Sequence, residues 1–393
     1  MNRNIYLLGW LSFFNDFSSE MIAPLLPVYL ASIGLGAGFL GLMEGFADGL
    51  SRITMLFSGA YTDRRGKTKR TTVWGYRLCA FIRPFMAFPL PAVVLAVRWL
   101  DRIGKGIRTS PRDRLITASV SPSLWGKAFG VQRMMDHAGS LIGAAAAALF
   151  LAFVSKNLSL LFVLASIPAV LSILLIPRFI RDVPVAKNPE PFALRLSLLP
   201  RPLRPFILFI FLSALSTPSE LFLMLKMKDL GMPQYQMPLA WMFLTLFKLG
   251  SAYLGGILAD RWSRRKTLAL GWIVFVLVFL AFAWNTVLLF GWGLLALYGF
   301  HSGVVEPSER AYPATIATEK KKATAIGWYY FTSGLGVLPG SFLFGLFWKW
   351  WGSTEAFLIY AGFTLLILPL LFFVPSDRKI ARDRGVSLEE EIG

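Results

Sequence analysis

Cysteine and histidine are nearly absent from this 393-residue chain, which contains one cysteine and two histidines. A single cysteine excludes a disulfide scaffold and a thiolate metal cluster, so we expect Cys79 to serve in packing. No Ser-His-Asp, metal-ligand or phosphate-loop pattern is present, and we therefore expect neither an enzyme nor a bound metal or cofactor. The start of the chain also lacks a small-residue cleavage site, so we expect the first helix to be retained.

Long polar stretches are scarce as well, because 55% of the residues are hydrophobic and the mean hydropathy is +0.59. Apolar runs of about 20 residues, the length that spans a bilayer as a helix, recur from end to end. The sequence therefore predicts an all-α, multi-pass membrane protein. Twelve spans fit: 5–33, 38–60, 71–90, 91–118, 126–154, 159–179, 204–229, 236–259, 267–285, 289–317, 323–350 and 354–374.

Acidic residues are few, with 22 Asp and Glu against 40 Lys and Arg, a formal net charge of +18. The cations cluster in alternate connections, whereas the intervening connections carry no charge. This asymmetry is typical of the positive-inside rule, and it predicts a protein of the cell inner membrane with both termini in the cytoplasm. Membrane topology therefore accounts for the excess of basic residues, and we expect no nucleic-acid partner. The expected partners are the lipid bilayer, protons and a small-molecule substrate, and we expect a monomer.

The two halves of the chain repeat with an offset of 197 residues. The segment GAYTDR at 59–64 corresponds to GILADR at 256–261, and a basic cluster follows each. Parallel six-helix repeats joined by a cytoplasmic linker build one large class of secondary transporter. The predicted domains are an N-terminal bundle at 1–180, a linker at 181–203, a C-terminal bundle at 204–375 and a cytoplasmic tail at 376–393.

Two segments resemble signatures of the major facilitator superfamily. Residues 59–67, GAYTDRRGK, are similar to its loop 2–3 signature, and residues 256–265 form a looser copy. The segment DRIGKGIRTSPRD at 101–113 lies where the family has its fourth-helix Arg and Gly pattern and is similar to a bacterial subgroup. This resemblance covers the whole chain. It implies two pseudo-symmetric six-helix bundles, alternating access, and gating residues at Asp63, Arg64, Asp260 and Arg261.

The fourth predicted span carries a ladder of cations. Read as a helix, its members share about a third of the circumference and climb about 21 Å. Unpaired charges in hydrocarbon cost several kcal/mol, so this face meets acids, water or an anionic ligand. A cytoplasmic loop is the alternative, but the repeat offset maps 91–118 onto the apolar segment 288–315, and Pro111 is expected to kink or end the helix. The ladder comprises Arg98, Arg102, Lys105, Arg108 and Arg112.

Several carboxylates lie at i, i+4 spacing in the first two spans. Like charges this close favour uptake of a proton by one of them, the property that a proton carrier needs. The alternative is that each acid simply pairs with a cation of span four. Pro24 and Pro27 follow in span one and predict a break or bend there. The predicted proton-coupling residues are Asp16, Glu20, Glu44 and Asp48, with Arg98 expected near the first two.

The intramembrane charges of the first half predict an anionic cargo. Six acids face eight bases at these positions, so complete pairing still leaves a cationic surplus. The predicted substrate-binding residues are Arg102, Lys105, Arg108, Glu306 and Glu309. The leading prediction is a proton-coupled secondary active transporter of a small anionic organic solute. Alternatives are a multidrug efflux pump, which needs a more apolar cavity, a lipid transporter whose cationic groove holds a headgroup, and a non-transporting receptor or assembly subunit. Span five, with Gly139 and Gly143, lacks the antiporter signature of the family, which argues against export by proton antiport.

Overall fold

The computed structural model describes residues 2–121, 124–183, 203–316 and 322–375, without the side chains at 63, 126, 259–261, 310–311, 314–316 and 322–324. Most of the predicted linker and the whole predicted tail lie outside these residues. The helices are α1 (Arg3–Ile22), α2 (Leu26–Ser32), α3 (Ala37–Arg65), α4 (Thr68–Ile82), α5 (Pro91–Ala118), α6 (Trp125–Phe153), α7 (Leu158–Leu175), α8 (Arg204–Leu215), α9 (Leu221–Asp229), α10 (Gln236–Arg261), α11 (Arg264–Trp284), α12 (Leu288–Ile316), α13 (Lys322–Trp351) and α14 (Ser353–Ile367).

The predicted all-α fold is confirmed. Each of the twelve predicted spans corresponds to one helix or to two consecutive pieces, α1 with α2 and α8 with α9. Within the described ranges, seven helices are long and apolar enough to cross a membrane by length and composition. Helices α3 and α5 fall outside those seven because they carry several acids and bases, many of them buried within the protein.

The first span is broken where its prolines predict. Helix α1 ends at Ile22, a 3₁₀ turn covers Ala23–Leu25, and α2 begins at Leu26. Proline has no N–H to donate to the preceding turn, so Pro24 and Pro27 interrupt the α-helical hydrogen bonds. The equivalent span of the second half is also divided, between α8 and α9.

The cation ladder lies on one continuous helix. Helix α5 runs from Pro91 to Ala118, which confirms the helical interpretation over a loop. Of the two outcomes expected at Pro111, a kink or an end of the helix, the end is wrong, because α5 continues for seven residues beyond it. Proline costs a helix one hydrogen bond, and here tertiary packing outweighs that loss, since Leu115 and Ile116 beyond it are fully buried.

The chain divides into two compact units. The first unit falls within Met1–Phe192 and Ser219–Met242, and the second within Ala193–Pro218 and Phe243–Gly393. Residues 219–242 thus follow the linker in sequence but belong to the first unit.

The 197-residue repeat is also visible in how the helices pack inside each unit. In the first unit, a Cβ at Gly139 or Gly143 of α6 would overlap the backbone of α1 at Phe13 or Phe17. In the second unit, Gly336 and Gly340 of α13 stand in the same relation to α8 at Phe211 and Leu215. Both glycine pairs are separated by the offset of the repeat. Small residues four apart let two membrane helices approach closely, so the same contact is built twice.

Candidate functional site

The strongest ion pair of the first unit joins α3 to α5. Arg98 donates from Nε to Glu44 Oε1 at 2.6 Å and from Nη2 to Oε2 at 2.8 Å. The two side chains are 5% and 2% exposed. Two parallel charge-assisted bonds are the strong form of this interaction. Arg98 was expected near Asp16 and Glu20, and the structure instead places it on Glu44.

One turn further along α5, Arg102 has only a distant carboxylate partner. Arg102 Nε lies 3.9 Å from Asp48 Oδ1, too far for a hydrogen bond, and this nitrogen is buried without a hydrogen-bond partner in the described part of the chain. The Asp48 side chain is 34% exposed. The α3 acids thus approach the α5 cations in both pairs, at 2.6 Å between Glu44 and Arg98 but at 3.9 Å between Asp48 and Arg102.

Lys105 is the least engaged member of the ladder. Its side chain is exposed, and no carboxylate of the described residues lies within 4.0 Å of its ammonium group. It interacts electrostatically with the cations Arg102 and Arg108 and with the carboxylates Asp16 and Glu20. A solute anion that reaches Lys105 therefore meets a cation whose hydrogen-bond donors are not already used by an acid.

Two glycines fix the position of Lys105 on α5. A Cβ at Gly104 would lie 2.7 Å from Cys79 Sγ of α4, and one at Gly106 would lie 2.5 Å from the Ser51 carbonyl oxygen of α3. Any larger residue at either position would push these helices apart. The Gly-Lys-Gly segment thus packs α5 closely against both α3 and α4. The Lys105 side chain extends from a part of α5 that these two contacts do not cover.

The C-terminal part of the ladder faces α1. Arg108 donates from Nη2 to Asp16 Oδ1 at 3.4 Å, and its guanidinium lies 4.4 Å from the ring centroid of Tyr76. The side chain of Arg108 is 4% exposed and that of Asp16 is 22% exposed. Of the predicted coupling residues, Asp16 thus pairs with Arg108 and Asp48 with Arg102, and both cations belong to the predicted substrate-binding set.

Glu20 has a different kind of partner. Trp241 donates its indole N–H to Glu20 Oε2 at 2.6 Å, and Ser19 donates to Oε1 at 3.4 Å. No cation of the described residues lies within 4.0 Å of this carboxylate. Trp241 belongs to the segment that joins the first unit from beyond the linker. The sequence did not predict this partner, although Trp241 occupies the position equivalent to Glu44 in the repeat.

A second buried pair uses a basic residue that the site prediction did not include. Arg83 donates to Asp101 Oδ1 at 2.8 Å and to the Asn15 carbonyl oxygen at 2.7 Å. Asp101 therefore has Arg83 as its hydrogen-bonded partner, and it also interacts electrostatically with Arg98 and Arg102 of the ladder. Arg83 follows α4 directly, so only the packing of α4 on α5 reveals this pairing.

The remaining predicted residues lie elsewhere. Glu306 is exposed and Glu309 half-buried on α12 of the second unit. Arg64 is exposed in the last turn of α3, which ends at Gly66 with φ of 67°, a left-handed value that glycine adopts easily. The side chains of Asp63, Asp260 and Arg261 lie outside the described residues.

The repeat offset shows how unequally the charges are distributed. The positions equivalent to the four upper members of the ladder carry no charge in the second half. The repeat therefore preserves the helix packing but not the electrostatics. These equivalents are Leu295, Gly299, Ser302 and Val305.

Two helical repeats with buried charges on the fourth span, α5, are typical of a polytopic membrane transporter. Comparisons with known proteins give its family. The chain belongs to the Major Facilitator Superfamily, whose model matches residues 8–308 and 221–390. It is 33% identical over 387 residues to an uncharacterized MFS-type transporter of Methanocaldococcus jannaschii, covering 94% of each chain. The predicted fold of two pseudo-symmetric six-helix bundles and the predicted family are thereby confirmed.

Solved transporters of this fold resemble the chain at low sequence identity. The nucleoside transporter NupG matches with a TM-score of 0.76 at 15% identity, covering 94% of this chain and 98% of its own. A POT family transporter in complex with 5-aminolevulinic acid matches with a TM-score of 0.76 at 12% identity, covering 95% and 96%. At such identities the likeness establishes the fold alone.

Proposed function

We propose that the protein moves a small anionic organic solute across the cytoplasmic membrane by alternating access, coupled to protons. In this proposal it acts as a monomer with both termini in the cytoplasm. The observation that carries the proposal is the state of Arg102 and Lys105, two adjacent cations of α5 whose side-chain donors make no hydrogen bond within the described residues. Such donors suit a carboxylate or phosphate group.

The fold alone does not choose the cargo, because the same scaffold carries solutes of different charge. The solved relatives include a nucleoside transporter and a complex with 5-aminolevulinic acid, a molecule with both an amine and a carboxylate. The charges of the site therefore decide which class of solute binds. A solute carboxylate that bonded Arg102 at about 2.8 Å would outcompete Asp48, whose oxygen lies 3.9 Å away.

Coupling to protons is proposed for Asp16 and Glu20. Asp16 shares Arg108 at 3.4 Å, and Glu20 accepts from an indole rather than from a cation. Protonation of either carboxylate frees positive charge near Lys105 and so strengthens its attraction for an anion. The reverse step releases both the anion and the proton. We propose Glu306 and Glu309 as further residues of the solute path, and Asp63, Arg64, Asp260 and Arg261 as gate residues.

Replacement of Lys105 tests the substrate class. We expect Lys105→Gln to lower the kcat/KM of anion transport about tenfold to a hundredfold, since a charge-assisted hydrogen bond contributes about 1.5–3 kcal/mol. Proteoliposomes would be assayed for uptake of lactate, succinate, glycerol 3-phosphate, uridine and the cationic dye ethidium. Lys105→Arg keeps the charge and should retain most of the activity.

The matched control is Lys156→Gln, the same substitution in the exposed connection between α6 and α7. It should leave uptake unchanged. Transport of ethidium that Lys105→Gln leaves intact would instead favour the efflux alternative. Uptake of uridine alone would contradict an anionic cargo, and lipid scrambling lost in the variant would favour the headgroup alternative.

The hydrogen bond between Trp241 and Glu20 gives an optical test of coupling. Subtracting the Trp241→Phe emission spectrum from that of the wild type isolates the fluorescence of Trp241. We expect this component to change when an imposed proton gradient drives transport, because the charge beside the indole changes, and to lose that change in Glu20→Gln. Trp99→Phe is the control, since Trp99 donates to the Met43 carbonyl, which does not titrate. A Trp241 component that is the same in Glu20→Gln would contradict the role of Glu20.

A further inference from the structure

A cluster of buried polar side chains fills the interior of the first unit beside Asp16. Each member is at most 7% exposed, and four different helices contribute. The residues lie about two to three helical turns from the starts of α1, α4 and α6, and near the end of α5. We call this set the Asp136 cluster: Ser12, Tyr76, Arg108, Arg112, Gln132 and Asp136.

Asp136 is bonded firmly to an amide and only loosely to a cation. Gln132 Nε2 donates to Asp136 Oδ1 at 2.8 Å, whereas Arg112 Nη1 lies 3.7 Å from Oδ2. The firm partner of Arg112 is Asp113, at 3.0 Å from Nε and 2.9 Å from Nη2. Neutralising Asp136 therefore leaves the buried Arg112 with a carboxylate partner, which neutralising Glu44 would not do for Arg98.

The amide of Gln132 is suited to both charge states of Asp136. Its nitrogen donates to Ser12 Oγ at 2.6 Å as well as to Asp136, while its buried oxygen has no partner in the described part of the chain. A protonated carboxyl group is a donor, and rotation of the amide would offer it this unused acceptor. The ionised and the protonated forms of Asp136 each find a partner in Gln132.

A chain of contacts connects Asp136 to Asp16. Ser12 accepts from Gln132 and from Arg112, the latter at 3.3 Å, and its hydroxyl bonds Tyr76 Oη. The Tyr76 ring lies under Arg108, which donates to Asp16. The charged and titratable groups that surround Asp136 are Asp16 of α1, Tyr76 of α4, Arg108, Arg112 and Asp113 of α5, and Arg133 and His137 of α6.

We propose that Asp136 is a further proton-binding carboxylate of the transport site, linked to Asp16 through the Asp136 cluster. Uptake forms one O–H bond between a carboxylate oxygen and a proton from water, and release returns that proton to water. The inference rests on the proposed proton coupling. Its own test needs no solute, so it can fail while the Lys105 result stands, and the reverse also holds.

Infrared difference spectroscopy of the whole protein in lipid, recorded against pH without any solute, tests the proposal. We expect a protonated-carboxyl band at mildly acidic pH that is lost in Asp136→Asn, persists in Asp113→Asn, and changes frequency in Asp136→Glu. Asp113 is the matched control because it also pairs with Arg112 but is 38% exposed. A band whose intensity is unchanged in Asp136→Asn, the absence of any such band, or its equal loss in Asp113→Asn would overturn the proposal.

A folding control accompanies the spectra. Cys79 is fully buried and is the only cysteine of the chain, so a thiol-reactive dye reports unfolding directly. If Asp136→Asn unfolds, Asp136→Glu decides the question, since an unchanged band frequency in that variant would equally overturn the proposal.

Discussion

Glu44→Gln is expected to destabilise the protein by about 3–5 kcal/mol, because it leaves the Arg98 guanidinium buried without its carboxylate. Arg98 is 4% exposed, and both of its bonds to Glu44 would lose their charge assistance. Thermal unfolding in detergent, followed by dye labelling of Cys79, would show the loss as a much lower midpoint.

The matched control for this prediction is one turn along the same two helices. Asp48→Asn breaks an ion pair of 3.9 Å whose acid is 34% exposed, and such a pair contributes about 1 kcal/mol at most. The double variant Glu44→Gln with Arg98→Gln should recover much of the loss, because no charge is left unmatched. A Glu44→Gln protein as stable as Asp48→Asn would contradict a stabilising role for the buried ion pair between Glu44 and Arg98.

Gly139→Ala is expected to destabilise the protein by about 2 kcal/mol or more. The added methyl group would overlap the Phe13 carbonyl and lie 3.0 Å from the Cα of Phe13, and a backbone cannot move aside as a flexible side chain does. Helix α6 would have to withdraw from α1 along much of its length. The same dye assay measures the effect.

Helix α6 also supplies the control, because a Cβ at Gly130 meets no atom of the described part of the chain within 4 Å. Gly130→Ala should be neutral or stabilise the protein by up to about 1 kcal/mol through helix propensity. Gly336→Ala, the equivalent change in the second half, should match Gly139→Ala. Equal stability of the Gly139 and Gly130 variants would show that the contact between α1 and α6 is looser than the structure indicates.

The fold was predictable because its signals are local. Span length and the prolines at 24 and 27 are properties of short segments, the 197-residue offset follows from comparing such segments, and each reappears in the helices. The break after Ile22 follows from the chemistry of proline alone. Pro111 shows the limit of such reasoning, because the buried residues that follow it hold the helix together.

The pairing of the charges was not predictable, because it depends on how helices are rotated against one another. Spacing on α5 groups the cations on one face, but that face meets α3 at Arg98 and α1 at Arg108. A count of acids against bases treats all pairs as equal, whereas Arg98 is fully engaged and Lys105 is not. Trp241 was invisible to this reasoning because it carries no charge.

The glycine contacts occur in both repeats, whereas the cation ladder occurs in one. The second half thus has the helix packing of the first without its cations. On the proposed function, substitutions in α1, α3 and α5 of the first half should change which solute is carried more than substitutions at the equivalent positions of the second half.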